Sequence, residues 1–179
     1  MNWSNPVRFG FDTALGEAPE ARRRRGALAT RFVLAIALGA ALVSASGSAE
    51  ASRLWRWQCH GTGIDAQGTL TTGDMPNADG FYEIMAVAGR ANGTVISGLE
   101  PTGLAIPGNE GYPVDNLIRP EGRQLTKSGF AFSLANGTYA NPFYGSHFHI
   151  PPGYYAFLSD PKARKTSEPN VTFQATLVP

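Results

Sequence analysis

The sequence predicts an all-β fold, either a single-domain antiparallel β-sandwich or a short β-barrel. After residue 51, no window of eleven or more residues shows the 3.6-residue apolar period of an amphipathic helix. Short runs of alternating apolar and polar residues instead recur between Gly, Asn and Pro, which is typical of half-buried strands separated by turns. We therefore expect one β domain over residues 52–179, behind a cleaved helical signal peptide.

Residues 1–51 are predicted to be an N-terminal extension and a signal peptide. Arg22–Arg25 precede the apolar run Phe32–Val43 ("FVLAIALGAALV"), and Ala49-Glu50-Ala51 follows as a small-x-small cleavage site. The apolar run is too short to span a bilayer, because a spanning helix needs about 20 residues. We expect cleavage after Ala51, a secreted or periplasmic protein and no transmembrane helix in the mature chain.

The charge of the remaining chain argues against nucleic acid as a partner. Residues 52–179 carry nine Lys and Arg against ten Asp and Glu, a formal charge of −1, so the basic excess belongs to the predicted signal. A nucleic-acid site would need a basic stripe, which this composition does not offer. Cys59 is the single cysteine and cannot form an internal disulfide, so the aromatic core has to stabilise the domain.

The first strand is predicted over Leu54–Ile64. Its alternation places Trp55, Trp57 and Cys59 on one face, opposite Arg56, Gln58 and His60. We expect this strand to pair with Thr69–Thr72 across a turn at "DAQG".

Two Asn-Gly dipeptides predict tight hairpin turns, because Asn and Gly tolerate positive φ at both central positions. Asn92-Gly93 follows the strand Phe81–Ala91 and precedes a return strand over Thr94–Leu99. In the first of these strands Tyr82, Ile84 and Ala86 should face away from Phe81, Glu83, Met85 and Val87. Asn136-Gly137 should join "GFAFSL" to "TYANPFY" in the same way.

Glu100–Gly122 is rich in Gly and Pro and has no apolar period, so it predicts a long ordered loop or a crossover. Its apolar residues indicate packing against the sheet. Tyr154–Leu158 and Val171–Val178 are predicted as the closing strands, with Val171, Phe173, Ala175 and Leu177 on the buried face.

The runs "GFYEIMAVAGRANGTVISGL", "DNLI" and "LTKSGFAFSL" resemble a pattern found in small exported bacterial proteins of unknown function, including some that carry a PEP-CTERM sorting tail. The resemblance covers roughly Gly61–Tyr155. It implies an exported, β-rich protein and assigns no active residue. Because the chain ends "FQATLVP", without a Pro-Glu-Pro motif, an apolar helix or a basic terminus, we expect no membrane sorting through such a tail.

His147 and His149 form the best candidate metal site. Residues two apart on a strand project from the same face, so the two imidazoles could share one ion. Further ligands would have to come from His60, Cys59, Asp115 or Glu110. The pair is similar to the histidine pair of cupins, but the glutamate expected shortly afterwards is missing from "IPPGYYAF". We favour the other interpretation, that both histidines face solvent or hydrogen-bond locally and that no cofactor is bound.

An aromatic cluster between residues 139 and 155 is the best candidate for a ligand surface. Its predicted ligand-binding residues are Tyr144, His147, His149 and Tyr154, because aromatic rings beside polar groups can stack on flat ligands such as sugars. The chain has no Gly-x-Ser-x-Gly elbow and no phosphate-binding loop, and we assign no catalytic residue.

The sequence thus favours a non-enzymatic binding or envelope-associated module, with a glycan or an envelope component as its partner, and it leaves catalysis open. A metal-binding protein or metal-dependent enzyme using His147 and His149, and a purely structural surface protein, are the alternatives.

Overall fold

Ten β-strands make up the regular structure of the described part of the chain. The computed structural model describes residues 51–147 and 150–179, so the predicted signal peptide lies outside the described residues. The strands are β1 Ser52–Gly61, β2 Ile64–Gly73, β3 Tyr82–Ala91, β4 Thr94–Leu99, β5 Leu117–Ile118, β6 Phe132–Leu134, β7 Tyr139–His147, β8 Ile150–Asp160, β9 Lys165–Ser167 and β10 Asn170–Leu177.

Eight of these strands form a closed antiparallel β-barrel, which confirms the all-β prediction and selects the barrel over the sandwich. Their order is β10–β1–β2–β3–β4–β6–β7–β8, and β8 returns to β10 through the pairs Asn170–Tyr155 and Val171–Tyr154. The two short strands lie outside this ring, with β5 paired to β3 and β9 paired to β8. Closure removes most free sheet edges, although the β8–β10 contact is only two residues long.

Aromatic side chains fill the barrel interior. The predicted alternation of β1 is confirmed, because Trp55, Trp57 and Cys59 are buried and the residues between them are exposed. The Trp57 ring lies 5.4 Å from Phe130, 5.5 Å from Phe132 and 6.3 Å from Phe173, measured between ring centroids. Burial of such large rings is the main favourable term in the folding of a domain without disulfides.

The predicted turn at "DAQG" is wrong. The β1–β2 turn lies at Thr62 and Gly63, and "DAQG" is part of β2. Strand β2 runs through this segment because Ile64 and Ala66 continue its buried face, while Asp65 and Gln67 point outward. Asp65 then pairs directly with His60 across the two strands, with 2.7 Å between the imidazole Nδ1 and the carboxylate.

The hairpin at Asn92-Gly93 is confirmed. Both residues have positive φ, 51° and 76°, and β4 has the predicted bounds. The second hairpin is also present, but at Asn136-Gly137 only the glycine has positive φ. There the Asn136 side chain accepts hydrogen bonds from the backbone N–H and the hydroxyl of Thr138, which stabilises a different turn.

The predicted alternation of β3 fails in its middle. Ile84 and Val87 are both buried, three residues apart, whereas Ala86 is exposed. The register between β2 and β3 shifts at Thr71 and Thr72, so an irregularity in the ladder moves Val87 onto the interior face.

The long loop over residues 100–122 packs against the outer surface of the barrel, as its apolar content indicated. Ile106 and Val114 are buried with Ala131, next to Tyr139 and Phe157. Tyr139 faces outward because its neighbour Ala140 belongs to the interior core. A second, smaller core therefore fixes this loop on the β7–β8 side of the barrel.

Candidate ligand-binding groove

Tyr144 and Tyr154 are brought together as a cross-strand pair of β7 and β8. Their ring centroids lie 5.4 Å apart in an edge-to-face arrangement. Tyr154 also packs on Phe173 at 5.6 Å, and its hydroxyl accepts a hydrogen bond from the Gln124 backbone N–H at 2.8 Å. Tyr154 thus supports the barrel with both ends of its side chain, while the half-buried Tyr144 ring packs between Tyr154 and the Arg123 guanidinium, 5.3 Å from its centroid.

His147 ends β7, where its backbone pairs with Ile150. The His147 side chain and the whole of His149 lie outside what the structure describes. The prediction that these two histidines bind a metal or another ligand therefore remains a prediction.

The four residues considered as further metal ligands do not converge within the described chain, where no group of three or more His, Cys, Asp and Glu is placed to hold a metal ion. His60 pairs with Asp65, and Asp115 accepts a hydrogen bond from the Thr126 hydroxyl at 2.7 Å. The Glu110 carboxylate accepts the Gly108 backbone N–H at 2.7 Å, which lowers the pKa of Glu110.

Cys59 is fully buried in the barrel interior. Burial in apolar surroundings raises the pKa of its thiol to about 12. Because the thiolate is the reactive form of cysteine, this residue acts as a small apolar core residue.

The best candidate site is a groove on the outer surface beside β7, which we call the Phe143 groove. Phe143 projects outward and its ring stacks on Tyr155 at 6.0 Å. The groove has a volume of about 500 Å³. It is lined by Asn109, Gly111, Tyr112, Pro113, Lys127, Ser128, Asn141, Phe143, Tyr144, Gly145, Ser146 and Glu168.

One wall of the groove is the turn that carries Lys127 and Ser128. Asn141, a buried residue of β7, holds this wall because its amide donates to the carbonyls of Ser128 and Phe130, both at 3.0 Å. The turn ends at Gly129, whose φ is +63°. A Cβ atom there would lie 2.0 Å from the Pro142 carbonyl oxygen, so only glycine allows the turn to approach β7 this closely.

The same wall is tied to the long loop through Asp115. The Thr126 hydroxyl donates to the Asp115 carboxylate and accepts the Gly129 backbone N–H at 2.9 Å. Burial raises the pKa of Asp115, and its hydrogen bonds from Thr126 and from backbone N–H groups oppose the shift only in part. The carboxylate is therefore a structural group that is sensitive to pH.

The groove is also lined by the segment from Asn109 to Pro113. The Ser159 hydroxyl donates to the Pro107 carbonyl at 2.5 Å, and the Tyr112 backbone N–H donates to Asn109 at 2.9 Å. The Tyr112 side chain is nevertheless 72% exposed. An ordered backbone thus presents an aromatic ring to solvent at the edge of the groove.

Sequence reasoning found part of this site. Asn141, Phe143 and Tyr144 belong to the predicted aromatic cluster, but Tyr112, Lys127 and Glu168 were not predicted. These three residues come from separate loops. Lys127 reaches the site because Gly129 adopts positive φ and the buried Asn141 amide holds the turn against β7. The only sequence signal for Tyr112 was an aromatic residue inside a long loop of a small domain.

Comparisons of the chain with protein-family models, curated proteins and solved structures give no match. Within the described residues, no helix is both long enough and apolar enough to cross a membrane.

Proposed function

We propose that this protein is an exported, non-enzymatic binding module that holds a polyhydroxylated ligand, such as a glycan, in the Phe143 groove. The observation that carries the proposal is the meeting of exposed and half-buried aromatic and polar side chains in one preformed groove. Phe143 and Tyr112 supply aromatic surface, and Ser128, Ser146 and Glu168 supply hydrogen-bonding groups.

This combination matches the chemistry of a sugar ring. The apolar C–H face of a pyranose stacks on an aromatic ring, while its hydroxyl groups exchange hydrogen bonds with side-chain oxygens and amides. The groove volume of about 500 Å³ lies within the roughly 300–1,000 Å³ that is common for small-molecule sites. Because the walls are fixed by hydrogen bonds that are buried or partly buried, binding requires little ordering of the protein.

Export to the periplasm or the cell exterior is part of the proposal. It is supported by the basic, apolar and small-x-small segments of residues 22–51 and by the start of β1 at Ser52, directly after the predicted cleavage site. An envelope glycan would be available to a protein in either location.

A glycan-array screen of the purified protein, followed by calorimetry with a retained glycan, tests the proposal. Tyr112→Ala removes an exposed ring without disturbing the core, and Phe143→Leu keeps apolar volume next to Tyr155 but removes the stacking face. We expect each change to weaken binding about two- to tenfold, since aromatic stacking contributes about 0.5–1.5 kcal/mol.

Met85→Ala is the matched control, because Met85 is exposed on β3 and does not line the groove. Its affinity should equal that of the unchanged protein. Retention of no glycan, or equal losses in Met85→Ala and Tyr112→Ala, would contradict the proposal and favour a purely structural surface protein.

A further inference from the structure

Strand β10 closes the barrel through only two residue pairs with β8. One edge of this strand pairs with β1 from Val171 to Leu177, but its other edge pairs with β8 only at Asn170 and Val171. The Val178 N–H donates to Leu54 of the β1 segment, so alternation turns the backbone groups of Phe173, Ala175 and Leu177 toward the open edge.

Gln124 occupies this open edge with its side chain. Its carboxamide nitrogen donates to the Ala175 carbonyl at 2.7 Å, and its carboxamide oxygen accepts the Ala175 N–H at 2.8 Å. One amide therefore exchanges two hydrogen bonds with one residue of the edge, as a residue of a neighbouring antiparallel strand does. Within the described residues, no protein group pairs with the backbone of Phe173 or Leu177 on this side.

A groove of about 610 Å³ runs beside the edge. Tyr154 and Phe173 contribute aromatic surface to it, and Pro120, Glu121 and Gly122 line it from the turn that carries Gln124. This turn, residues 119–124, is anchored by cation–π contacts of Arg119 with Phe81 at 4.7 Å and of Arg123 with Tyr144 at 5.3 Å.

We propose that the open β10 edge binds an extended peptide as an additional antiparallel strand. In the free protein the Gln124 side chain takes the place of such a strand at Ala175, and the peptide displaces it. Main-chain hydrogen bonds to Phe173, Ala175 and Leu177 provide the affinity. The edge itself carries the uncharged residues Thr172, Gln174 and Thr176, none of which repels an incoming strand.

The charge of the groove defines the peptide further. Glu121 is its only charged lining residue and is exposed. The complementary partner is therefore a strand with alternating apolar residues on the groove side, whose charge is confined to a basic residue at the end that passes Glu121. This groove is distinct from the Phe143 groove, because the two share no lining residue.

The probe is a synthetic peptide, acetyl-Lys-Thr-Val-Thr-Val-Thr-Lys-amide, titrated into the purified protein by calorimetry. We expect Gln124→Ala to bind it at least tenfold more tightly than the unchanged protein, because the internal competitor is removed. Gln124→Met keeps most of the side-chain volume but removes both hydrogen bonds to Ala175, so its affinity should rise as well.

Two N-methylated peptides test whether the peptide is a strand. In the antiparallel register, residues whose side chains face the groove also direct their N–H groups to β10. N-methylation of both valines should abolish binding, and N-methylation of the threonines should leave it unchanged. A peptide with Glu in place of both Lys should bind more weakly, and Glu121→Gln should remove that difference.

Equal binding of the two N-methylated peptides would overturn the proposal, as would unchanged affinity in Gln124→Ala. Light scattering adds a third decisive outcome. A Gln124→Ala variant that dimerises and no longer takes the peptide would assign the edge to a second copy of the chain instead. If that variant does not fold, Gln124→Met and the N-methylated pair measured on the unchanged protein give the same decision.

Discussion

Two substitutions, Gly129→Ala and Gly93→Ala, distinguish the cost of backbone strain from the cost of a steric clash. At Gly129 the backbone has φ of +63°, and an added Cβ would lie 2.0 Å from the Pro142 carbonyl oxygen. At Gly93 the φ of +76° is similar, but an added Cβ would have no heavy atom within 4 Å. Gly93→Ala therefore measures backbone strain alone, and Gly129→Ala measures strain together with a steric clash.

The expected losses follow from these contacts. Left-handed backbone conformation costs an L-residue about 1–2 kcal/mol, and overpacking adds about 1–3 kcal/mol. We expect the free energy of unfolding to fall by about 1–2 kcal/mol in Gly93→Ala and by about 2–5 kcal/mol in Gly129→Ala. With a urea m-value of about 2 kcal/mol/M, the midpoints fall by about 0.5–1 M and about 1–2.5 M.

Urea unfolding followed by tryptophan fluorescence measures both changes, because Trp55 and Trp57 are buried in the barrel. Gly129→Ala should also weaken glycan binding, since the turn it distorts carries Lys127 and Ser128 of the groove wall. Equal midpoints for the two variants would refute the close approach of this turn to β7.

Three further predictions concern groups outside these turns. Burial raises the pKa of Asp115, so the stability it contributes is present below about pH 4 and is lost as pH rises through the raised pKa. Asp115→Asn should therefore gain stability relative to the unchanged protein between pH 4 and pH 7 in urea unfolding, and a difference that does not vary with pH would contradict this. Metal analysis of the purified protein should find no stoichiometric zinc or copper, and His147→Ala with His149→Ala should leave the melting temperature unchanged; stoichiometric metal lost in the double variant would establish a metalloprotein. Mass spectrometry of the exported protein should give Ser52 as its first residue, whereas an intact Met1 on membrane-extracted protein would refute cleavage.

Local sequence signals predicted the elements that depend on neighbouring residues. Asn92-Gly93 and the bounds of β4 follow from turn chemistry, and the buried face of β10 follows from simple alternation. The β1–β2 turn was placed wrongly because "DAQG" has turn composition, whereas pairing with β1 and burial of Ala66 extend β2 through it. Tertiary packing overrides local propensity at such positions.

Features set by distant residues could not be predicted. Barrel closure depends on two pairs between β8 and β10, so alternation alone fits both a sandwich and a barrel. The Phe143 groove depends on the hydrogen bond from the Asn141 amide to the Ser128 carbonyl, 13 residues earlier in the chain. It also depends on Tyr112 and Glu168, which come from two other loops. A single sequence shows the residue types but not this convergence.

The central claim is that the Phe143 groove is the ligand site, and a titration followed by amide chemical shifts tests it most directly. Isotope-labelled protein would be titrated with a glycan retained in the screen. We expect concentration-dependent shifts at Tyr112, Ser128, Gly145 and Ser146, and none at Met85 on β3. Shifts confined to other parts of the barrel, or no shifts at a glycan concentration that saturates the array signal, would contradict the claim.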